Sequence, residues 1–298
     1  MNKLKFEQFA IGSFHYPRYP LCYFLDSVQR LGVKNIELWG VAPHLYVDDL
    51  TGADVKTIKR EIDARGLRLI CYCPEQNTYP FNISSTNKAL RERSIAFMER
   101  SIVLGAQLGA PTFLLCPGTG FLNEDPGEAF KLLCDAAQRL LPTAHREGVT
   151  IVAETQTWHD CNILHTAADQ RRLLDEVNDP AFKAMLDVSQ MTIYGDTIAD
   201  NLQILGDDIR HMHLTSSYSD SLDLTLQGDA LRQKYPDGRP LSTHIGFRAG
   251  NNPIIDYLRQ MGEGGYSHYI SLEICARECF GDPEFYAREG LEMMKQAL

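Results

Sequence analysis

The sequence predicts an α/β protein folded as a single-domain (β/α)8 TIM barrel, and three observations carry that expectation. Short runs of β-forming residues alternate eight times with longer segments of helical spacing, which is the element order a closed parallel barrel requires. The 298 residues suit one such barrel with insertions, and no linker rich in Pro, Gly or Ser divides them. Several helical segments stop at a glycine, which lets the chain turn back toward the next strand. An open doubly wound sheet is the structural alternative to closure.

In order, residues 9–16 read as the first strand and 21–31 as an amphipathic helix ended by Gly32. Residues 35–40 form the second strand, followed by a polar loop and a helix over about 53–65 before Gly66. The third unit is 67–74, a long loop and a helix over about 87–108; after Gly109 comes strand 111–116 with helix 127–146. The fifth unit is 150–155 with 166–177, and the sixth is 182–188 with 197–205. Residues 207–216 follow Gly206 and alternate apolar with polar side chains, so His211 and His213 share one face of the seventh strand. A long connection precedes a helix at about 253–261, with an inserted loop at about 217–243; strand 269–275 and helix 283–298 close the chain. Gly118-Thr119-Gly120 follows a strand, but position 123 is Asn123, so the dinucleotide fingerprint is incomplete and the segment reads as a tight turn.

Composition narrows the function. A formal charge of -10 without a basic stripe repels a phosphate backbone, which argues against a nucleic-acid partner and favours a small neutral or cationic substrate. No run approaches the roughly 18 apolar residues of a membrane span, and residues 1–6 lack the apolar segment of a secretory signal, so a cytoplasmic protein without a membrane partner is expected. The eight cysteines lack zinc-knuckle spacing and read as buried, reduced thiols. Asn82-Ile83-Ser84 matches a glycosylation sequon that, without a secretory signal, reads as chance.

The chemistry gathers at strand ends. The fifth to eighth strands each end with a metal-compatible side chain: Glu154, Asp187, His213 and Glu273. A barrel brings consecutive strand ends to one mouth. One imidazole and three carboxylates make a mostly oxygen site, which favours Mn2+, with Mg2+ or Co2+ as alternatives, over thiolate-bound zinc. Without a cation the three carboxylates would oppose one another's ionisation. His211 shares the face of His213 one layer deeper, where a core hydrogen bond is its expected role.

With these residues in place the chain resembles the xylose isomerase-like barrel superfamily of sugar isomerases and epimerases, within it the ketose 3-epimerases and, more narrowly, the fructoselysine 3-epimerase branch. The intervals of 33 residues from Glu154 to Asp187 and 26 from Asp187 to His213 are similar to that family's ligand spacing. Ile36-Glu37-Leu38-Trp39-Gly40, with Pro43-His44 after it, and Pro74-Glu75-Gln76-Asn77-Thr78-Tyr79-Pro80-Phe81-Asn82 resemble the fructoselysine branch in particular. The likeness runs from the first strand to the last helix and is weakest at 217–243.

The resemblance implies a metal-dependent epimerisation beside a ketose carbonyl, on a sugar or sugar-amine substrate. The cation would bind the C2 carbonyl oxygen and the C3 hydroxyl oxygen, Glu154 would take the C3 proton on one face and Glu273 would return one on the other, through an enediolate. It also implies a homo-oligomer, a dimer or a tetramer. Asp160, six positions after Glu154, stands where the family usually has a glutamate at the substrate's end. His44, Glu75 and His244 are candidate contacts at the mouth, Trp39 and Tyr79 a candidate apolar platform, and 244–250 stands where the family has a glycine-rich turn. Two positions depart from the ketose pattern: Gln190 replaces a substrate-binding histidine, and Ser219 an arginine. Three other functions share the fold. A zinc-dependent endonuclease acting on damaged DNA would need more histidines and a basic surface; a C-glycoside deglycosidase-type lyase on a 3-keto sugar would act with a small second subunit; a catalytically silent sugar-binding barrel would not need both Glu154 and Glu273.

Overall fold

A computed structural model describes residues 3–76, 81–158, 160–218 and 243–298. Eight parallel strands pair in sequence order and close into a barrel: β1 (Phe9–Gly12), β2 (Asn35–Gly40), β3 (Arg68–Pro74), β4 (Thr112–Leu115), β5 (Thr150–Glu154), β6 (Phe182–Asp187), β7 (Ile209–Leu214) and β8 (Tyr269–Leu272). Closure comes from β1 against β8, with Ala10 opposite Ser271. The open doubly wound alternative is thereby excluded.

Alternation along each strand makes two cores. Ile151 and Ala153 of β5, Ala184 and Leu186 of β6, and Met212 and Leu214 of β7 point outward into the large apolar layer beneath the helices. Val152 and Met185 point inward, with Ala10, Phe14, Ile70, Cys71, Leu114 and others, into a smaller cluster that plugs the barrel. Because inward positions recur every second residue, Glu154, Asp187, His211 and His213 follow those apolar residues toward the C-terminal mouth.

The helices start and stop where local chemistry dictates. They are α1 (Leu21–Arg30), α2 (Gly52–Ala64), α3 (Lys88–Leu108), α4 (Pro126–Glu147), α5 (Ala167–Val177), α6 (Val188–Ile193), α7 (Ile198–Ile204), α8 (Ile254–Glu263) and α9 (Pro283–Lys295). Thr51, Thr166 and Thr197 open α2, α5 and α7 with reciprocal capping boxes to Asp54, Asp169 and Asp200. Gly109 and Gly148, both at positive φ, end α3 and α4. No helix among the described residues is long and apolar enough to cross a membrane.

Four expectations change in detail. The first strand ends at Gly12, because Ser13–His15 form a 3-10 turn that swings Phe14 into the barrel interior. The eighth ends at Leu272, so Glu273 and Cys275 lie beyond the ladder. A short α6 follows β6, and its N-cap is Asp187. The expectation of buried thiols holds for Cys71, Cys73, Cys116, Cys161 and Cys279. Cys22 on α1 and Cys275 in the mouth are exposed, and Cys134 is half-buried. Most of the expected insertion, residues 219–242, lies outside the described residues, as do Tyr79 and Ser219.

Candidate active site

Strand order and inward parity bring Glu154, Asp187, His213 and Glu273 together at the mouth, one from each of four consecutive strands or the residue just past it. One donor atom from each lies within 4.8 Å of all the others, and all four side chains are buried. His213 Nδ1 stands 2.8 Å from Glu273 Oε2 and 3.9 Å from Glu154 Oε1.

Each ligand candidate is held by the atoms that face away from the cluster. His213 donates from Nε2 to the Glu37 carboxylate at 2.9 and 3.0 Å. Asp187 Oδ1 accepts the Gln190 amide N–H at 2.8 Å, as N-cap of α6. Glu154 Oε2 accepts the Gln156 side-chain amide at 2.7 Å and the Cys116 thiol at 3.6 Å. Glu273 Oε1 accepts the Cys275 thiol, also at 3.6 Å. Across the cluster itself, His213 Nδ1, Asp187 Oδ2 and Glu273 Oε2 are buried without a hydrogen-bond partner. Buried polar atoms are almost always satisfied, and unpaired donor atoms converging on one point are what a cation would satisfy. The donor set therefore fits a hard divalent ion.

Electrostatics agree. Burial, then the charges of Glu273 and Asp187, hold the Glu154 carboxyl well above its usual range, against partial relief from His213. Burial also opposes ionisation of Glu273, but His244 and His213 outweigh it and hold that carboxyl well below. The two glutamates are thus driven apart, which is how paired acids acquire different tasks.

The other expected residues divide. His244 joins the cluster, with Nε2 at 3.2 Å from Glu273 Oε2 and 3.4 Å from Asp187 Oδ2. It sits at φ 58, unusual for a non-glycine residue, while its carbonyl is clamped by the Cys275 and Ala276 amides. Gln190 is buried beside Asp187, and its Oε1 has no hydrogen-bond partner. The Trp39 ring lies 5.8 Å from that of Phe14, which meets His213 edge-on at 5.6 Å, so the apolar wall exists. Glu75, half-buried after β3, lies near enough to Cys116 to act on its thiol, which burial and Glu154 push well up. His44 is half-buried in the loop after β2, where the Tyr19 carbonyl engages its Nε2. Asp160 lies in an exposed turn and accepts from the Thr157 hydroxyl at 3.1 Å, so the structure does not bring it into the cluster.

Sequence reasoning missed Glu37, Gln156 and the two thiols beside the glutamates. Glu37 had a legible signal: it shares inward parity with Trp39 in an otherwise apolar strand. Glu37 also accepts from His211 Nε2 at 3.0 Å, which gives His211 the core hydrogen bond expected of it.

The family described as xylose isomerase-like TIM barrel matches residues 25–297. Among curated proteins, fructoselysine 3-epimerase of Shigella flexneri is 25% identical over 282 residues, covering 94% of each chain. D-psicose 3-epimerase of Agrobacterium fabrum is 24% identical over 199 residues, 65% of this chain and 67% of that protein. Among solved structures, the 3-keto-D-glucoside 4-epimerase of E. coli superposes with a TM-score of 0.75 at 16% identity, covering 97% and 98% of the two chains. A D-psicose 3-epimerase crystallised in the presence of D-fructose gives 0.72 at 17% identity, covering 97% of each.

Proposed function

The chain belongs to the xylose isomerase-like TIM barrel family, and on that premise we propose that it is a metal-dependent epimerase inverting C3 of a ketose or ketosamine, of fructoselysine type. The observation that carries the reading is the pair of glutamates at the mouth. Glu154 and Glu273 enter from β5 and from the end of β8, with β6 and β7 between them, and each turns one oxygen toward the shared cluster. Inversion at a carbon needs a proton removed on one face and returned on the other.

Glu154, Asp187, His213 and Glu273 would hold the divalent ion, Mn2+ first and Mg2+ or Co2+ next, which supplies Lewis-acid polarisation of the substrate's carbonyl and so acidifies the neighbouring C–H. Glu154 takes the C3 proton in one direction, and Gln156 keeps its carboxylate from rotating away. The enediolate that results is planar at C3, so Glu273, entering this direction protonated, delivers its proton from the other side; the turnover leaves Glu154 protonated and Glu273 ionised, which is the starting state for the reverse direction, where the roles exchange. Phe14 and Trp39 offer an apolar wall to the sugar's C–H face and help exclude water. His244 stands within reach of an oxygen held at Asp187 and Glu273. The ketosamine preference draws support from the fructoselysine 3-epimerase relatives, which match along 94% of this chain, from the net charge of -10 and from Glu75 at the mouth.

The test is NMR of a panel of ketoses and ketosamines after incubation with Mn2+-loaded protein in deuterated water. Deuterium at C3 with inversion is expected. Absence of C3 exchange across the panel refutes the proposal, and fragmentation of a 3-keto substrate would assign the site to a lyase instead.

A further inference from the structure

Below the ligand cluster lies a second group of potential donors that the proposed reaction does not use: Glu37 of β2, Cys71 of β3 and His211 of β7, all buried. Such a trio can be a second cation site or a hydrogen-bonded platform, and the state of its atoms discriminates. Glu37 accepts from His211 Nε2 at 3.0 Å and from His213 Nε2 at 2.9 and 3.0 Å, and the Cys71 thiol lies within 4.8 Å of the Glu37 and His211 donor atoms. Neither Glu37 nor His211 has a buried side-chain nitrogen or oxygen left without a partner, whereas the upper cluster has three such atoms. The lower group is satisfied within itself, and the upper one is not.

That arrangement dictates which way His213 presents itself. With Nε2–H committed to Glu37, the ring turns Nδ1 toward Glu154 and Glu273. The opposite tautomer would aim N–H into the cluster and set a lone pair against the Glu37 carboxylate. Phe14, edge-on to the ring at 5.6 Å, limits its rotation. On the other side His211 holds Glu37 in place.

We infer that Glu37 is a positioning residue that fixes the tautomer and ring orientation of His213, and so sets the affinity of the upper site for its cation, with His211 bracing Glu37 from behind. This rests on the reading of the upper cluster as a metal centre. A carboxylate with both oxygens out of water is costly unless paired, and its retention between two imidazoles is accounted for by this task.

The experiment measures Mn2+ binding to metal-free protein by equilibrium dialysis with metal analysis, for wild type, Glu37→Gln, His211→Gln and Cys71→Ala, with thermal melts to verify folding. Wild type should bind one ion per chain. Glu37→Gln should bind about 10–100-fold more weakly at unchanged stoichiometry. His211→Gln should stay much closer to wild type, and Cys71→Ala should leave the stoichiometry at one. Wild-type affinity in Glu37→Gln overturns the inference while the metal-centre reading stands; no ion bound by wild type overturns both. A second ion lost in Cys71→Ala, or an equal loss of affinity in His211→Gln, also overturns it. Should Glu37→Gln not fold, nitrogen-15 NMR of histidine-labelled wild type loaded with Zn2+, with His213 assigned by its loss in His213→Gln, tests the same claim. Protonated Nε2 and an Nδ1 that carries no proton are expected, and the reverse tautomer overturns the inference.

Discussion

Glu154→Gln tests the proton-transfer scheme most directly, because the substitution keeps the volume of the side chain and removes its charge and its ability to accept a proton. The amide carbonyl can keep the position of Oε2, 2.7 Å from the Gln156 amide, and its NH2 then occupies the place of Oε1, 3.9 Å from His213 Nδ1. Such a group neither takes the C3 proton nor binds a cation. Removing a positioned general base costs about 10^2–10^4 in rate, equivalent to roughly 2.7–5.4 kcal/mol.

Stability should move the other way. The Glu154 carboxyl is held well above its usual range by burial and by Glu273 and Asp187, so in the folded protein it keeps its proton at pH values where the unfolded chain has lost it. A group raised in this way makes stability fall as pH rises from the unfolded value through the folded one. Glu154→Gln removes that decline, and the metal-free variant should melt no lower than metal-free wild type at neutral pH. The kinetic assay follows C3 exchange from each epimer separately, in deuterated water at saturating Mn2+. Neither Glu154→Gln nor Glu273→Gln should invert the substrate. Each should still exchange the C3 hydrogen of one epimer without inversion, and the two variants should select opposite epimers. Near-wild-type epimerisation by either variant, or exchange of the same epimer by both, refutes the two-carboxylate scheme.

Three further outcomes are expected. Chelation should lower the melting temperature, and Mn2+ at a hundred times its dissociation constant should restore about 2.7 kcal/mol; a calorimetric melt indifferent to chelator and metal would contradict the donor geometry. His15 is buried with Nε2 3.1 Å from the Pro283 carbonyl, and burial takes its pKa from 6.5 to about 3 against the opposing effect of that bond. Its contribution is therefore complete above 6.5 and is lost as pH falls toward 3, at up to about 1.4 kcal/mol per unit; urea titrations of His15→Gln should show a flatter dependence over that window. Cys275 is exposed and lies 3.6 Å from Glu273, but burial of its thiol and the Glu273 charge push that thiol well up, so methyl methanethiosulfonate should block turnover only with prolonged treatment at alkaline pH. Cys275→Ala should resist the reagent and Cys22→Ala should not, and equal inactivation of both would place the reactive thiol elsewhere.

The barrel was legible because its evidence is local: apolar runs, helical spacing and glycine stops recur unit by unit. Strand ends were less legible, since side-chain pattern continues past the point where the ladder stops. Residues 13–16 keep a β-like composition although the chain has already turned at Ser13, and residues 273–275 continue the alternation beyond Leu272. α6 was invisible because Val188-Ser189-Gln190-Met191-Thr192-Ile193 is too short for a helical stripe and owes its start to Asp187, a residue that also reads as a ligand. At the site, four ligand candidates were legible from strand-end position alone. For Glu37 the inward parity was legible but the role was not, because its partners lie 174 and 176 residues away and only closure brings them into contact.

That separation bears on how the site is built. The ligand candidates all come from β5 onward, but the atoms that orient them come from both halves: Glu37 and Phe14 on His213, Cys116 on Glu154. β2 and β7 are not neighbours in the sheet, so the Glu37–His213 bond crosses the barrel interior rather than following a strand ladder. A half-barrel would leave the Glu37 carboxylate without its two imidazoles and the ligand cluster without a fixed ring. An uncompensated buried charge costs about 3–5 kcal/mol when one partner is removed. The contact between Glu37 and His213 thus also favours the closed barrel over partly assembled ones, and the geometry of the candidate site and closure of the fold depend on the same buried contact.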